Sequence, residues 1–341
     1  MKLFMGNNFL RAGLKRFLRA TAFYLGFGLC TTQAFQITSS DFDGGGRFRV
    51  QHEANTNSYY ILYRGATLTN VNTLLSMALG AGATGQLTDP TIDPLQSNQM
   101  AFYRVLEVPL TAPMDVDGDR IDDAYELSHP LCLNPLDPTD ALVDCAGNGL
   151  TNLQVYLSQY NGLLINEVEY DEVGTDTDEF VELYNTSTNT ISMTGLALVF
   201  LNGANNLEYL RVNLSGSLTP GQYLVVADNT VSVAAGAAVI RFTATQNNIQ
   251  NGAPDGVALF HVISHTVLDS LAYEGGMTAA VINSAPGTYN LVDGTALSSS
   301  VADSNTTIGS IARIPNGGDM HNDNVDWQLS STPTPGAANV P

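Results

Sequence analysis

The sequence predicts a mainly β protein in which two β modules are joined by a short acidic segment. Short apolar and branched runs recur along the 341 residues, are broken by Gly, Asn and Pro turn signals, and show hardly a helical period. Hydrophobic residues make up 44% of the chain, which is enough for a packed core, whereas only 13% are charged. We therefore expect a small antiparallel β domain over 35–112, an acidic connector over 113–160 and a β-sandwich over 161–341.

The first 34 residues predict an export signal. They contain basic residues and no acid, then a short apolar run over 20–29 and a small-x-small site that ends at Ala34. This run is too short to span a bilayer, and no later apolar stretch reaches the ~18 residues that a spanning helix needs. We expect a signal peptide over 1–34 and a mature protein that is secreted, at the cell surface or in the periplasm. A buried amphipathic first helix is the alternative.

The net negative charge of the chain limits the kinds of partner that it can bind. Thirty-three acidic residues against 13 basic ones give a net charge of −20. Such a chain repels phosphate backbones and anionic membrane surfaces and attracts cations. We therefore expect no nucleic-acid partner and no membrane span after signal removal.

The two β modules are predicted from short runs of apolar, aromatic and branched residues that have the length of β-strands. In the first module they lie at 58–64 and 100–108, both rich in aromatic and branched residues. In the second module they are 163–168, 180–184, 196–201, 223–227, 238–242, 256–260 and 267–271. Seven short strands separated by turn signals favour a sandwich, whose core we expect Trp327 to fill.

The sharpest motif is an acidic loop at 115–126 with the spacing of an EF-hand-like calcium loop. Such loops place oxygen ligands at positions 1, 3, 5, 7, 9 and 12, because alternate groups of a curled backbone converge on one cation. The residues at these positions are Asp115, Asp117, Asp119, Ile121 through its carbonyl, Asp123 and Glu126. Arg120 stands where glycine is usual, and a left-handed conformation there costs roughly 1–2 kcal/mol. An acidic solvated turn is the alternative.

A weaker copy of the loop begins at Asp144. Ala146 and Val155 occupy positions 3 and 12, so two carboxylates are missing, and a turn before a helix is favoured over bound metal. The candidate ligands of this second loop are Asp144, Asn148, Leu150 and Asn152. Cys132 and Cys145 remain after signal removal, and in an oxidising compartment we expect them to form a disulfide rather than two free thiols.

Two resemblances follow from these motifs. The paired loops resemble the calcium-binding thrombospondin type 3 or dockerin-like repeats of exported bacterial proteins. The segments 164–168, 178–185, 218–226 and 332–339 resemble the bacterial branch of the lamin tail domain. That resemblance implies an immunoglobulin-like β-sandwich used as a non-catalytic module, often on exported or surface proteins and sometimes beside secreted hydrolase domains. It carries over no ligand-binding residue.

The predicted function is that of an exported, non-catalytic scaffold or binding protein with calcium as its cofactor. Its partner would be a protein or polysaccharide at the cell surface. No serine-hydrolase elbow, phosphate loop or zinc-protease motif is present in the sequence. Two alternatives stay open. One is a metal-dependent hydrolase centred on Asp319, His321 and Asp323 or on Glu167 and Glu182. The other is a carbohydrate-binding module that uses Tyr209, Tyr273 and Tyr289.

Overall fold

The computed structural model describes residues 2–6, 35–92 and 100–341 and divides the chain into two units, Met1–Gly147 and Asn148–Pro341. The division falls inside the segment predicted as a connector, so that the loop at 115–126 belongs to the first unit. Of the predicted signal peptide, only a strand at Lys2–Gly6 is described; its apolar run and cleavage site lie outside the described residues. Within the described ranges, no helix has the length and apolarity needed to cross a membrane.

The described part of the first unit consists of seven strands followed by a short helix and a 3-10 turn. These are β1 Lys2–Gly6, β2 Ile37–Phe42, β3 Phe48–Glu53, β4 Ser58–Gly65, β5 Thr73–Leu79, β6 Thr84–Thr88, β7 Ala101–Pro109, α1 Asp123–Ser128 and the turn Asp140–Leu142. The order β1-β7-β4-β5 forms one antiparallel sheet, and β2-β3-β6 forms a second.

Strand β4 is buried on both faces, and this positions the acidic loop. Tyr60 and Leu62 pack with residues of β3 and β6 in one core cluster. Tyr59 and Ile61 point to the other side, as alternate residues of a strand do, and pack in a cluster that Ala124 and Leu127 of α1 also join. The loop and its helix are therefore part of the first unit's core rather than a free linker.

The second unit contains twelve strands and two short helices among its residues, all of which are described. In chain order they are α2 Asn152–Ser158, β8 Leu163–Glu169, β9 Phe180–Asn185, β10 Ile191–Ser192, β11 Leu196–Asn202, β12 Leu207–Asn213, β13 Ser217–Leu218, β14 Tyr223–Ala227, β15 Ala238–Arg241, β16 Asp255–His261, β17 Thr266–Tyr273, β18 Ser310–Arg313, α3 Asp323–Asp326 and β19 Trp327–Ser330. All seven strand-length runs expected in this region form strands.

Two sheets packed face to face make this unit an immunoglobulin-like β-sandwich, as the sequence predicted. One sheet has the order β12-β11-β16-β17 and the other the order β15-β14-β9-β8-β18-β19, with β14 and β15 as a parallel pair. The main core contains side chains from both sheets, among them Val181, Leu198 and Leu259. Trp327 is 1% exposed in the same core, which confirms its expected place.

Candidate metal centre

The acidic loop curls around the carboxylate of Asp115. This carboxylate accepts hydrogen bonds from the backbone N–H groups of Gly118, Asp119 and Arg120 at 2.8, 3.2 and 3.0 Å. Gly118 and Arg120 both have left-handed φ angles, of 81° and 83°. The sharp turn that calcium loops assign to glycine is therefore present here with an arginine in it.

Five carboxylates, four from the loop and that of Asp140 from the 3-10 turn, form two overlapping groups. Ligand oxygens of Asp115, Asp117 and Asp119 lie within 4.8 Å of one another, and so do those of Asp119, Glu126 and Asp140. Asp119 belongs to both groups and joins them into one set. We refer to these five residues as the carboxylate cluster.

The cluster contains buried oxygens that lack hydrogen-bond donors. Glu126 is fully buried, and neither of its carboxylate oxygens has a partner. One oxygen of Asp117 and one of Asp119 are likewise buried and unpaired. Burying a carboxylate without a donor or a counter-charge is strongly unfavourable, so the site requires either protons or a cation. A divalent cation that takes six to eight oxygen ligands satisfies several of these oxygens at once.

The titration behaviour agrees with this geometry. Burial, followed by the charges of Asp119, Asp117 and Asp140, raises the pKa of Glu126 to about 10. Burial and the neighbouring charge of Asp119 raise the pKa of Asp117 to about 6. Each acid disfavours ionisation of the others, and this repulsion is what a bound cation would relieve.

One predicted ligand faces elsewhere, and one member of the cluster was not predicted. The carboxylate of Asp123 accepts hydrogen bonds from the Val116 N–H at 2.9 Å and the Tyr59 O–H at 2.8 Å, so it ties the loop to β4 instead of joining the cluster. Its role as a metal ligand stays a prediction, which these two hydrogen bonds do not support. Asp140 joins the cluster from the 3-10 turn, and no spacing rule of the loop motif points to it. Ile121 is buried, its N–H donates to Asp119 at 2.8 Å, and its carbonyl as a ligand stays a prediction.

The second loop shows no comparable convergence. The side-chain oxygen of Asn148 accepts from the Leu150 N–H at 2.9 Å, and Thr151 and Gln154 form a capping box that starts α2. Asp144 is exposed and belongs to none of the groups of converging His, Cys, Asp and Glu ligand atoms in the described ranges. Metal binding by Asp144, Asn148, Leu150 and Asn152 stays a prediction.

Cys132 and Cys145 form the predicted disulfide, with their Cα atoms 5.7 Å apart. The loop that it closes carries Asp140, whose carboxylate accepts from the Asn134 N–H at 2.7 Å. The disulfide therefore restricts the position of one member of the carboxylate cluster.

Removing this disulfide is expected to weaken cation binding as well as stability. In the double variant Cys132→Ser/Cys145→Ser, the unfolded chain regains loop entropy worth roughly 3 kcal/mol, and Asp140 is held less firmly. Calorimetric calcium titration should show an affinity lower by about tenfold, a loss typical for removal of a group that orients a ligand. An unchanged affinity in the double variant would show that the disulfide does not position Asp140.

The alternative centres are not assembled as predicted. Asp319 and His321 converge with Asp293, and ligand atoms of these three residues lie within 4.8 Å of one another. His321 lies 3.2 Å from the Asp293 carboxylate and 3.6 Å from that of Asp319. The carboxylate of Asp323 is not part of this group and accepts from the Asp293 N–H at 2.9 Å. Donors occupy both carboxylate oxygens of Glu167 and of Glu182. They come from Ser310 and Thr334 on Glu167, and from Asn166 and Gly336 on Glu182. Through the hydrogen bonds from Thr334 and Gly336, these two acids anchor the C-terminal segment to the sandwich.

The three tyrosines of the carbohydrate alternative do not form an exposed platform. Tyr273 is fully buried. The hydroxyl of Tyr209 accepts from the Gln250 N–H at 2.8 Å, and that of Tyr289 donates to the His265 carbonyl at 3.1 Å. These contacts are structural.

The fold and the cluster together define a class: a modular β protein with an immunoglobulin-like sandwich and an acidic loop suited to a hard cation. Within the sandwich unit, residues 157–294 match the family model of the lamin tail domain, as the sequence resemblance indicated. The match covers less than half of the chain. This immunoglobulin-like family is not a catalytic one. A comparison with curated proteins finds no match to the chain.

Proposed function

We propose that this protein is an exported, non-catalytic binding or scaffold protein whose acidic loop holds a calcium ion. The observation that carries the proposal is Glu126, which is fully buried with two unpaired carboxylate oxygens among other converging acids. The converging ligand groups of the site are all carboxylates, and hard cations such as Ca²⁺ prefer oxygen. The loop spacing favours calcium over the smaller and geometrically stricter Mg²⁺.

The proposed role of the ion is to order the segment that leads out of the first β unit. Asp123 and Tyr59 already attach the start of α1 to β4, and the disulfide closes the following loop. A cation shared by Asp119, Glu126 and Asp140 would join these two parts of the segment. Extracellular calcium is millimolar, which suits a site with Kd of about 10⁻⁴–10⁻³ M, as in other extracellular modules.

The sandwich would supply the binding surface. The lamin tail match and the immunoglobulin-like fold support a modular, non-catalytic role. The signal-like residues 1–34 support export, and the partner we propose is a protein or polysaccharide at the cell surface. The net charge of −20 argues against nucleic acid as that partner.

Limited proteolysis of the full chain tests the role of calcium. With calcium present we expect 113–147 to resist cleavage; with EGTA we expect cleavage there first, while the sandwich stays intact, because local opening governs cleavage. Magnesium at the same concentration is the control and should protect much less. Equal cleavage with calcium and with EGTA would contradict the proposal.

A further inference from the structure

Buried carboxylate oxygens without a hydrogen-bond partner cluster at two places among the described residues. The first place is the carboxylate cluster of the acidic loop, where they belong to Asp117, Asp119 and Glu126. The second place is one end of the β-sandwich, where Oε2 of Glu169 and Oε2 of Glu172 are unpaired and the charges of the two residues interact. It therefore shows the same deficit of positive charge and donors that marks the first. Unlike the first cluster, it contains no group of three converging ligand residues in the described part of the chain.

Glu169 is the last residue of β8 and pairs with Phe180 of β9. Its side chain is 4% exposed, so its unpaired oxygen cannot be satisfied by bulk solvent. Glu172 lies in the loop that follows. Its Oε1 accepts hydrogen bonds from the backbone N–H groups of Thr177 and Asp178, which orients the unpaired Oε2.

Further acids surround this pair. The charges that act on Glu169 come, largest first, from Asp303, Glu172, Glu179 and Asp178. Glu179 and Asp303 are themselves buried, at 0% and 3% exposure, and are held by backbone donors: Asn248 and Ile249 for Glu179, Tyr170 and Ser304 for Asp303.

Among the described residues, no basic side chain forms an ion pair with these acids. Within the described ranges, no ion pair involves Glu169, Glu172, Glu179 or Asp303. Arg241, the basic residue close to this end, donates to the backbone carbonyls of Asp228 and Val231 and not to a carboxylate. The whole group of acids therefore lacks a compensating positive charge, and the neighbouring guanidinium does not supply one.

We propose that Glu169 and Glu172 are ligands of a second divalent cation, of the calcium type, bound at this end of the sandwich. The carboxylates of Glu179 and Asp303 contribute negative charge around the ion. Binding would fix the loop 170–179 against β8. Burial and the neighbouring acids raise the pKa of Glu169 to about 10.

Calcium titration of the full chain by calorimetry tests this second site. We expect two bound ions in the wild type, one in Glu126→Gln, one in Glu169→Gln and none in the double variant. Glu182→Gln is the matched control: it neutralises a buried, fully hydrogen-bonded carboxylate of the same sandwich and should leave two ions bound.

The outcomes separate the two sites. If Glu169→Gln binds as many ions as the wild type, Glu169 holds a proton only and the second site is wrong. If the wild type binds one ion that only Glu169→Gln removes, the loop site of the proposed function fails while the second site stands. Thermal unfolding gives an independent reading, since Glu169→Gln should raise Tm in EGTA and lose the calcium-induced Tm increase of the Glu126→Gln background.

Discussion

Glu126→Gln is expected to abolish calcium binding at the acidic loop and, at the same time, to stabilise the calcium-free protein at neutral pH. The carboxyl group of Glu126 is fully buried without a donor, and its pKa of about 10 means that it must take up a proton on folding at neutral pH. A glutamine is neutral in both states and removes this cost. The new amide N–H groups can donate to the unpaired oxygens of Asp117 or Asp119. We expect calcium affinity to fall by more than about 100-fold, since the bidentate acid of position 12 is lost.

Calcium titration and thermal unfolding with and without EGTA measure both effects. The matched pair Asp140→Asn and Asp137→Asn supplies the control, because both acids lie in the disulfide loop and only Asp140 joins the cluster. The amide introduced by Asp137→Asn would keep an acceptor oxygen for the N–H and hydroxyl of Thr139. Asp140→Asn should weaken calcium binding and Asp137→Asn should not. A Glu126→Gln protein that still gains Tm from calcium at the loop would overturn the assignment.

Most strands of the second unit could be predicted from the sequence, and the clearest are those whose burial is continuous. Strands β8, β11 and β16 are buried along nearly their whole length, and each contains an unbroken apolar run, at 163–165, 196–201 and 257–260. Strand β12 was missed because it lies at a sheet edge, and its half-buried sequence alternates apolar with charged residues. Strand β18 was missed because it includes Arg313, whose burial depends on partners distant in sequence.

The residues of the candidate site also fall into two groups: those placed by the local spacing of the loop and those placed by contacts distant in sequence. Local spacing predicted Asp115, Asp117, Asp119 and Glu126, since a curled loop brings its own alternate residues together. The orientation of Asp123 depends on Tyr59, which lies on β4, 64 residues earlier. The presence of Asp140 in the carboxylate cluster likewise depends on how the segment closed by the disulfide folds back. The residue spacing of the acidic loop does not predict this.

Arg313→Met is expected to destabilise the sandwich more than any other single change to a charged residue considered in this unit. The guanidinium is 2% exposed, donates to the Asp269 carboxylate at 3.0 Å and lies 3.5 and 3.6 Å from those of Asp319 and Asp326. It also lies 4.7 Å from the centre of the Trp327 ring. Its removal leaves one buried and two partly buried carboxylates without their counter-charge, and breaking a buried ion pair costs about 3–5 kcal/mol.

Urea unfolding of the sandwich transition measures this loss, with Arg211→Met as the control. Arg211 pairs with Glu208 on the edge strand β12 and is 22% exposed, so its loss should cost about 1 kcal/mol or less. Replacing both partners, in Arg313→Met/Asp269→Leu, should recover part of the stability, because an apolar pair of similar volume leaves no buried charge unpaired at that contact. If Arg313→Met and Arg211→Met lowered the unfolding free energy equally, the buried guanidinium would not be what holds β18 and β19 to the core.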